Sequence, residues 1–157
     1  MRNPFIFRNC LVLSLINKHF SFEFIIKVMG LVYSQITLSN PVKAELKPMV
    51  TKCLVDTGST YLVLPQHVAT QLQLVTLETR EATTADRGSH TVPYAGPVKI
   101  SFENRSCFVG AIIMGNEVLL GAVPMEDMDL IVLPKLLKLS VNPESPNIAR
   151  GLVKLIL

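Results

Sequence analysis

The sequence predicts a mostly β, single-lobe fold, a closed barrel or folded sheet with one or two short helices. Short apolar runs rich in β-branched residues follow one another at close spacing, and turn residues separate them. A length of 157 residues fits one domain, and 49% hydrophobic against 17% charged residues provides a core and argues against disorder. This size excludes an enzyme that needs two full lobes within one polypeptide.

Residues 1–28 differ in composition from the rest, which predicts a boundary near Met29. Five of the seven phenylalanines lie in this leader: Phe5, Phe7, Phe20, Phe22 and Phe24. The leader also holds four basic residues against one acidic residue, whereas the remaining residues hold eleven of each, so the net charge of +3 belongs to the leader. We therefore divide the chain into a leader (1–28), a domain (29–147) and a C-terminal tail (148–157).

Three interpretations of the leader are open. We favour a natural translation start at Met29, which would leave residues 1–28 outside the native chain. The leader is otherwise a loosely attached membrane-surface segment, or a secretory signal peptide whose apolar run at residues 10–16 lacks a small-residue cleavage site. No uninterrupted apolar run approaches the roughly 18 residues of a transmembrane helix, so we expect no stable membrane span. We expect a cytoplasmic protein, with membrane association or export left open by the leader.

Two classes of partner, nucleic acid and metal ions, are not expected from the composition. No stripe of Lys and Arg with interleaved aromatic residues is present, so nucleic acid is not an expected partner. The sequence has three cysteines, Cys10, Cys53 and Cys107, which form no Cys-x-x-Cys pair and are interpreted as reduced thiols. Two of them lie in apolar runs and are expected to be small core residues. Three histidines are too far apart for metal-ligand spacing, so we expect no metal: His19, His67 and His90.

The first half of the domain reads as three strands and a helix. Strands are predicted over residues 31–38, 49–55 and 61–64, where apolar and β-branched residues dominate. Asn40-Pro41 ends the first strand, and the second ends at Asp56. A short helix is predicted from Pro65 to Leu74, with Val68, Ala69 and Leu72 on one face.

The second half reads as a hairpin, further strands and a second helix. Residues 77–84 and 89–94 flank a polar tip at residues 85–88, which is typical of a hairpin. Gly96-Pro97 is expected to break the chain before strands at 98–102 and 107–114, and residues 118–120 enter Gly121. A helix over 124–128 would place Glu126 and Asp127 in its first turn, where with Asp129 they form a solvated acidic cluster. The last strand is predicted at 137–141, before a Pro-rich stretch.

The segment most suited to chemistry is the loop that begins at Asp56. An aspartate directly after a buried strand is costly to hide unless its carboxylate is hydrogen-bonded or used. Gly58 allows the backbone to approach the carboxylate, and the hydroxyls of Thr57 and Ser59 can order the loop. The pattern therefore indicates one carboxylate held at a preorganised turn between apolar strands.

These residues resemble the active-site loop of aspartic proteases, and the resemblance is closest to the small prokaryotic, single-lobe, retropepsin-like enzymes of clan AA. The loop carries Asp56-Thr57-Gly58-Ser59, and Leu119-Leu120-Gly121 is similar to the family's second motif, a pair of apolar residues and a glycine before a helix. The hairpin tip, Ala85-Asp86-Arg87-Gly88, lies where the family carries the flap that covers the substrate. The resemblance implies the acid-protease fold, an aspartic endopeptidase activity, and no metal or organic cofactor.

The chain contains a single Asp-Thr-Gly, whereas such proteases need two carboxylates that share a proton. The resemblance therefore implies a homodimer, with one Asp56 from each chain acting on a peptide or protein substrate. It further implies that Thr57 reaches across to the partner loop and that Ser59 hydrogen-bonds its own Asp56. Because a hydroxyl donor favours the ionised carboxylate, Ser59 should move the working pH towards acid.

One departure from the family supports an alternative function. Retroviral relatives place an arginine after the second glycine, where it makes ion pairs that support the dimer, whereas Ala122-Val123-Pro124 follows Gly121 here. The alternative is a non-catalytic, retropepsin-like dimerisation or peptide-binding module. Tyr94 is expected to pack in the core, under the flap or over the substrate. An actin-like ATPase, which also uses a strand followed by Asp-x-Gly, is disfavoured because that fold is far longer.

Overall fold

The computed structural model describes residues 30–151, so the predictions for the leader and for residues 152–157 lie outside the described residues. The elements follow one another in this order: β1 Val32–Ser39, β2 Met49–Val55, β3 Leu62–Leu64, α1 Gln66–Gln71, β4 Val75–Thr83, β5 Ser89–Phe102, β6 Arg105–Ile113, β7 Leu119–Leu120, α2 Ala122–Asp127, β8 Leu130–Leu133, a 3₁₀ turn Pro134–Leu136 and β9 Lys138–Val141. The prediction of a mostly β domain with short helices is confirmed at this level.

Seven of the strands form one sheet in the order β1-β2-β7-β3-β6-β5-β4. Because β1 also pairs with β5, six of these strands close into a hydrogen-bonded ring, and β4 is attached outside it through β5 alone. The pairs β2–β7 and β3–β6 are parallel, whereas β7 runs antiparallel to β3. β8 and β9 form a separate antiparallel hairpin.

Side chains that point into the ring form a single core. Alternate residues of β1 are buried, as expected of strands that face the core on one side. The largest fully buried side chains come from five strands and from the ends of both helices: Ile36, Leu38, Leu62, Leu64, Leu72, Ile100, Leu120, Met128 and Leu139. The prediction that Cys53 and Cys107 are core residues is confirmed, and burial raises the pKa of each thiol to about 12.

Helix α1 confirms the predicted helix, although it ends earlier than expected. Pro65 precedes its first turn, and Val68, Ala69 and Leu72 are buried. Asn40 is buried beside the end of α1, and its amide donates to the Leu72 carbonyl at 2.9 Å. This side-chain bond satisfies a carbonyl at the helix end that has no helical partner.

One predicted strand break is wrong, and one strand was not predicted. β5 runs unbroken through Gly96 and Pro97, and the pairing with β6 shifts register between Ala95 and Val98. A β-bulge, which bends a strand without ending it, therefore replaces the expected break. The chain also contains an unpredicted strand, β8, whose four residues are too few for a periodic signal.

The acidic residues of α2 do not lie where the sequence predicted. The helix begins at Ala122, because Gly121 precedes it in extended conformation and Pro124 sits in the first turn, where a missing N–H is tolerated. Glu126 and Asp127 therefore lie in the last turn, so the prediction of acidic residues in the first turn is wrong.

Asp129 is not a solvated helical residue, as the sequence predicted, but an anchor for the segment that follows β9. Its carboxylate accepts hydrogen bonds from the Asn142 amide at 2.8 Å, from the Ser145 hydroxyl and from the Arg150 backbone N–H at 3.0 Å. These bonds, led by that of Ser145, lower the pKa of Asp129 to about 2. Arg105, only 4% exposed, donates to the Ser145 carbonyl and so helps to hold the same segment.

Within residues 30–151, neither helix has the length and apolar character needed to cross a membrane.

Candidate active site

Asp56 stands where β2 leaves the sheet and the chain turns towards β3. Its side chain is half-buried, and each carboxylate oxygen accepts one hydrogen bond from the same loop. Oδ1 accepts from the backbone N–H of Gly58 at 2.9 Å, and Oδ2 accepts from the Ser59 hydroxyl at 2.8 Å. The expected bond from Ser59 to its own Asp56 is confirmed. The two donors, one on each oxygen, hold the carboxylate in one orientation.

The loop is held in place by backbone hydrogen bonds to β7 and to the start of α2. On one side of the loop, the N–H of Asp56 donates to the Leu120 carbonyl at 3.0 Å. On the other side, the N–H groups of Ala122 and Val123 donate to the carbonyls of Ser59 and Thr60, at 2.7 and 3.0 Å. The two motifs singled out in the sequence are therefore in direct backbone contact.

Gly121 passes so close beneath the loop that no side chain fits there. A Cβ atom at this position would lie 2.7 Å from the Ser59 carbonyl oxygen and closer still to that of Tyr61. Real Cβ atoms essentially never approach another atom within 3.0 Å. The third residue of Leu119-Leu120-Gly121 is thus a glycine for a steric reason, and the motif supports the Asp56 loop.

Strand β7 lies between the two strands that flank the loop. Leu119 and Leu120 pair with Leu54 and Val55 of β2, and Leu119 also pairs with Val63 of β3. Leu120 is fully buried, so β7 connects the loop to the core. An Asp56 side chain in this frame needs little reorganisation before it acts on a bound molecule.

The predicted flap is the hairpin formed by β4 and β5. At its tip, Asp86 accepts hydrogen bonds from the Thr84 hydroxyl and from the Gly88 N–H, and these bonds lower the pKa of Asp86. Arg87 has a left-handed backbone, with φ of 66°. Asp86 and Arg87 are exposed, whereas Ala85 lines the cleft described next. That these residues contact a substrate stays a prediction.

An open cleft of about 880 Å³ separates the Asp56 loop from the hairpin. Its walls are the loop residues 58–61, residues 80–85 of the hairpin, and the turn after β6. Because six consecutive residues of the hairpin line the cleft, the hairpin turns its backbone edge, and not one face, towards Asp56. Thr57 is exposed, and its expected contact with a partner loop is untested.

The cleft contains charged residues that the sequence analysis missed. Arg80, Glu81 and Glu117 line it together with Asp56. Arg80 and Glu81 belong to a strand with no apolar alternation, so the sequence carried no signal for which of its residues meet the loop. Desolvation and, to a smaller extent, the neighbouring Glu117 raise the pKa of Tyr33.

Tyr94 lies on β5 and is half-buried, so it is not a fully buried core residue, and its expected place under the flap or over the substrate stays a prediction. Its ring meets Tyr61 edge-on, with centroids 6.0 Å apart, and lies directly over Gly110. Any side chain at position 110 would clash with this ring.

The remaining predicted residues carry no site in the described region. His67 and His90 are exposed, as expected of surface residues. Among residues 30–151, no group of three His, Cys, Asp or Glu side chains is arranged to hold a metal ion.

No family model matches this sequence, and no curated protein shows significant similarity to it. Only the residues and the geometry of this chain therefore indicate its function.

Proposed function

We propose that this chain is a retropepsin-like aspartic endopeptidase that acts as a homodimer. The observation that supports this most is the geometry of Asp56. Its carboxylate is held by Gly58 and Ser59 at the wall of an open cleft, on a loop that Gly121 fixes to the core. A structural turn aspartate would need the hydrogen bonds but neither the cleft nor the close support.

In the proposed mechanism, two Asp56 carboxylates, one from each chain, hold a single proton between them. The ionised carboxylate takes a proton from a water molecule, whose oxygen adds to the carbonyl carbon of the peptide. The protonated carboxyl gives its proton to the carbonyl oxygen, and a tetrahedral diol forms. The first carboxyl returns its proton to the amide nitrogen, and the carbon–nitrogen bond breaks. The second carboxylate takes a proton from a diol hydroxyl, which leaves a carboxylic acid, an amine and the singly protonated pair. The hydrogen bonds from Gly58 and Ser59 keep the carboxylate oriented through these steps.

The hairpin offers a means of binding an extended peptide. In the described part of the chain β4 pairs only with β5, so its other edge has free backbone N–H and C=O groups. Residues 80–85 present that edge to the cleft. A peptide added along it as a further strand would lie between the hairpin and Asp56.

The proposal is tested by cleavage of a mixed peptide pool from acid to neutral pH, with the wild-type chain and Asp56→Asn side by side. We expect cleavage by the wild type and a loss of at least about 10³-fold in Asp56→Asn, because the essential base is removed. Asp127→Asn is the matched control, since Asp127 is an exposed aspartate at the end of α2. Equal cleavage by wild type and Asp56→Asn would contradict the proposal.

A second candidate function is a non-catalytic dimerisation or peptide-binding module. The observation that favours it is the start of α2, where Ala122 and Val123 contact the loop through their backbone and bring no charged side chain to it. Two folded, dimeric proteins that both fail to cleave the pool would move the assignment to this module. A strict monomer would contradict the homodimeric peptidase and the dimerisation module, and only the peptide-binding module would be left.

A further inference from the structure

Arg80 is the one cationic residue among the described residues that line the cleft. Its guanidinium carbon lies 3.5 Å from the ring centroid of Tyr94 and 5.1 Å from that of Tyr61. Cation–π contacts of this kind hold the charged group over the two rings. The Arg80 head is therefore fixed in place at the wall of the cleft.

The donors of Arg80 are only partly used within the chain. Nε and Nη2 both approach a single oxygen, Oε1 of Glu78, at 2.7 and 2.6 Å. In residues 30–151, Nη1 donates to no protein acceptor. The side chains of Arg80 and Glu78 are 32% and 53% exposed, and an ion pair this open to water is weak and exchangeable.

The other charges of the cleft do not neutralise Arg80. Glu81 accepts a hydrogen bond from Ser89, and Glu117, in the turn after β6, lies beside Tyr33 of β1. The hydrogen bond that Arg80 donates to Glu78 is the largest of the effects that raise the pKa of Arg80, so the guanidinium stays charged at every working pH. A planar group with free donors at the wall of a cleft is suited to bind a carboxylate through two parallel bonds.

We propose that Arg80 is a specificity-determining residue that binds an Asp or Glu side chain of the peptide substrate. This inference rests on the proposed peptidase function, because it assumes that a peptide lies along β4. Arg80 belongs to the edge that would receive such a peptide, so the selected residue occupies one fixed position relative to the cleaved bond. Its carboxylate exchanges with or joins Glu78 at the guanidinium.

The test is the sequence preference of cleavage sites in a proteome-derived peptide pool, read by mass spectrometry. For the wild-type chain we expect Asp and Glu to be enriched at one position, with kcat/KM about fivefold higher for Glu than for Gln in matched peptides, mainly through KM. Arg80→Gln abolishes this preference, and Arg80→Lys retains part of it because the charge remains but the planar fork is lost. Lys47→Gln, which removes an exposed cation between β1 and β2 that does not line the cleft, leaves it unchanged.

Glu78→Gln gives an effect of opposite sign. Removal of this competing carboxylate frees Nε and Nη2, so the preference for acidic peptides increases by about the same factor. A merely structural role for the pair would move both variants in the same direction. Melting temperatures of all variants show whether each is folded.

Failure of this inference differs from failure of the proposed function. Cleavage that depends on Asp56 but shows no acidic preference, or a preference that Arg80→Gln retains, overturns the inference and leaves the peptidase in place. If no cleavage depends on Asp56, binding to an array of matched Glu and Gln peptides decides whether Arg80 selects acidic side chains. A Glu preference lost in Arg80→Gln supports the site in a binding module, and equal binding or no binding overturns it.

Discussion

The two walls of the cleft are held in different ways. The Asp56 loop is tied to β7 and α2 by backbone hydrogen bonds and lies against Gly121 without room for a Cβ atom. The hairpin tip on the other wall is held by its own residues, through Thr84 and the side chain of Asp86. One wall is part of the core, whereas the other is a local structure at the end of an edge strand.

This difference matches the tasks that the proposed function assigns to the walls. A carboxylate that takes a proton from water gains from a fixed orientation, and tight backbone support provides it. A cover over a substrate must open and close, and elements with few buried contacts open at low free-energy cost. We therefore expect changes in the first wall to affect folding and equivalent changes in the second to affect it little.

The largest effect is expected for Gly121→Ala. The new Cβ meets the backbone oxygens of Ser59 and Tyr61, which cannot move without disrupting the loop. We expect a loss of at least about 3 kcal/mol in the free energy of unfolding, or failure to fold. Chemical denaturation measures the loss. A variant within about 1 kcal/mol of the wild type would show that the loop is not held as described.

The segment after β9 is an intermediate case, because side chains hold it as in the hairpin but they bind a carboxylate next to the core. The pKa of Asp129 is lowered to about 2, so the stability from its hydrogen bonds is present above the ordinary value near 4 and is lost as pH falls through about 2. Asp129→Asn should therefore melt below the wild type at pH 6, and the difference should shrink between about pH 4 and pH 2.

Melting temperatures at three pH values check this, with Asp127→Asn as the control for an exposed aspartate. A difference between Asp129→Asn and the wild type that stays constant down to about pH 2 would contradict the role of the ionised carboxylate.

Within the Asp56 loop, Ser59→Ala changes chemistry more than stability. Loss of the hydroxyl donor to Oδ2 leaves this carboxylate oxygen without its fixed orientation, so kcat/KM should fall by about tenfold while the melting temperature changes little. Peptide cleavage and thermal melting of the two proteins measure both quantities. A variant that keeps the wild-type kcat/KM would contradict the assigned role of Ser59.

The smallest effect is expected for Gly88→Ala, the counterpart of Gly121→Ala on the opposite wall. The nearest atoms to a Cβ at Gly88 are the ends of the His90, Asp86 and Thr84 side chains, at 3.0 to 3.2 Å. These are the ends of side chains that need to give by only a few tenths of an ångström, so the free energy of unfolding should change by less than about 1 kcal/mol. A loss comparable to that of Gly121→Ala would remove the distinction between the two walls.

Several elements of the fold could be predicted because their sequence signals are local. The apolar runs of β2 and the periodic face of α1 determine their own burial, and the polar tip of the hairpin lies between two strand-forming segments. The Asp56 loop was identified by the same means, since an aspartate, a glycine and two hydroxyl residues follow a buried strand. Its bond from Ser59 followed from the family resemblance and is present in the structure.

What the sequence did not predict depends on contacts between distant segments. Gly96 and Pro97 bend β5 without ending it because the strand keeps its partners on both sides of a bulge. The hydrogen bonds of Asp129 depend on Asn142 and Ser145, which come close only when β9 pairs with β8. Arg80 reaches the cleft only because the hairpin is attached at the edge of the ring, a property of the sheet order.

The central claim, that the active dyad combines Asp56 from two copies of this chain, is tested most directly by mixing subunits. Wild-type protein is unfolded and refolded with an equal amount of Asp56→Asn, and cleavage is compared with wild type refolded alone at the same wild-type concentration. If chains pair at random, only roughly one quarter of the dimers keep two Asp56 residues, so activity per wild-type chain should fall to about half. A tenfold excess of Asp56→Asn should nearly abolish it, whereas added Asp127→Asn, which keeps Asp56, should raise total cleavage in proportion to the added chains. Activity per wild-type chain that is unchanged by any excess of Asp56→Asn would contradict the claim, because each chain would then carry a complete active site.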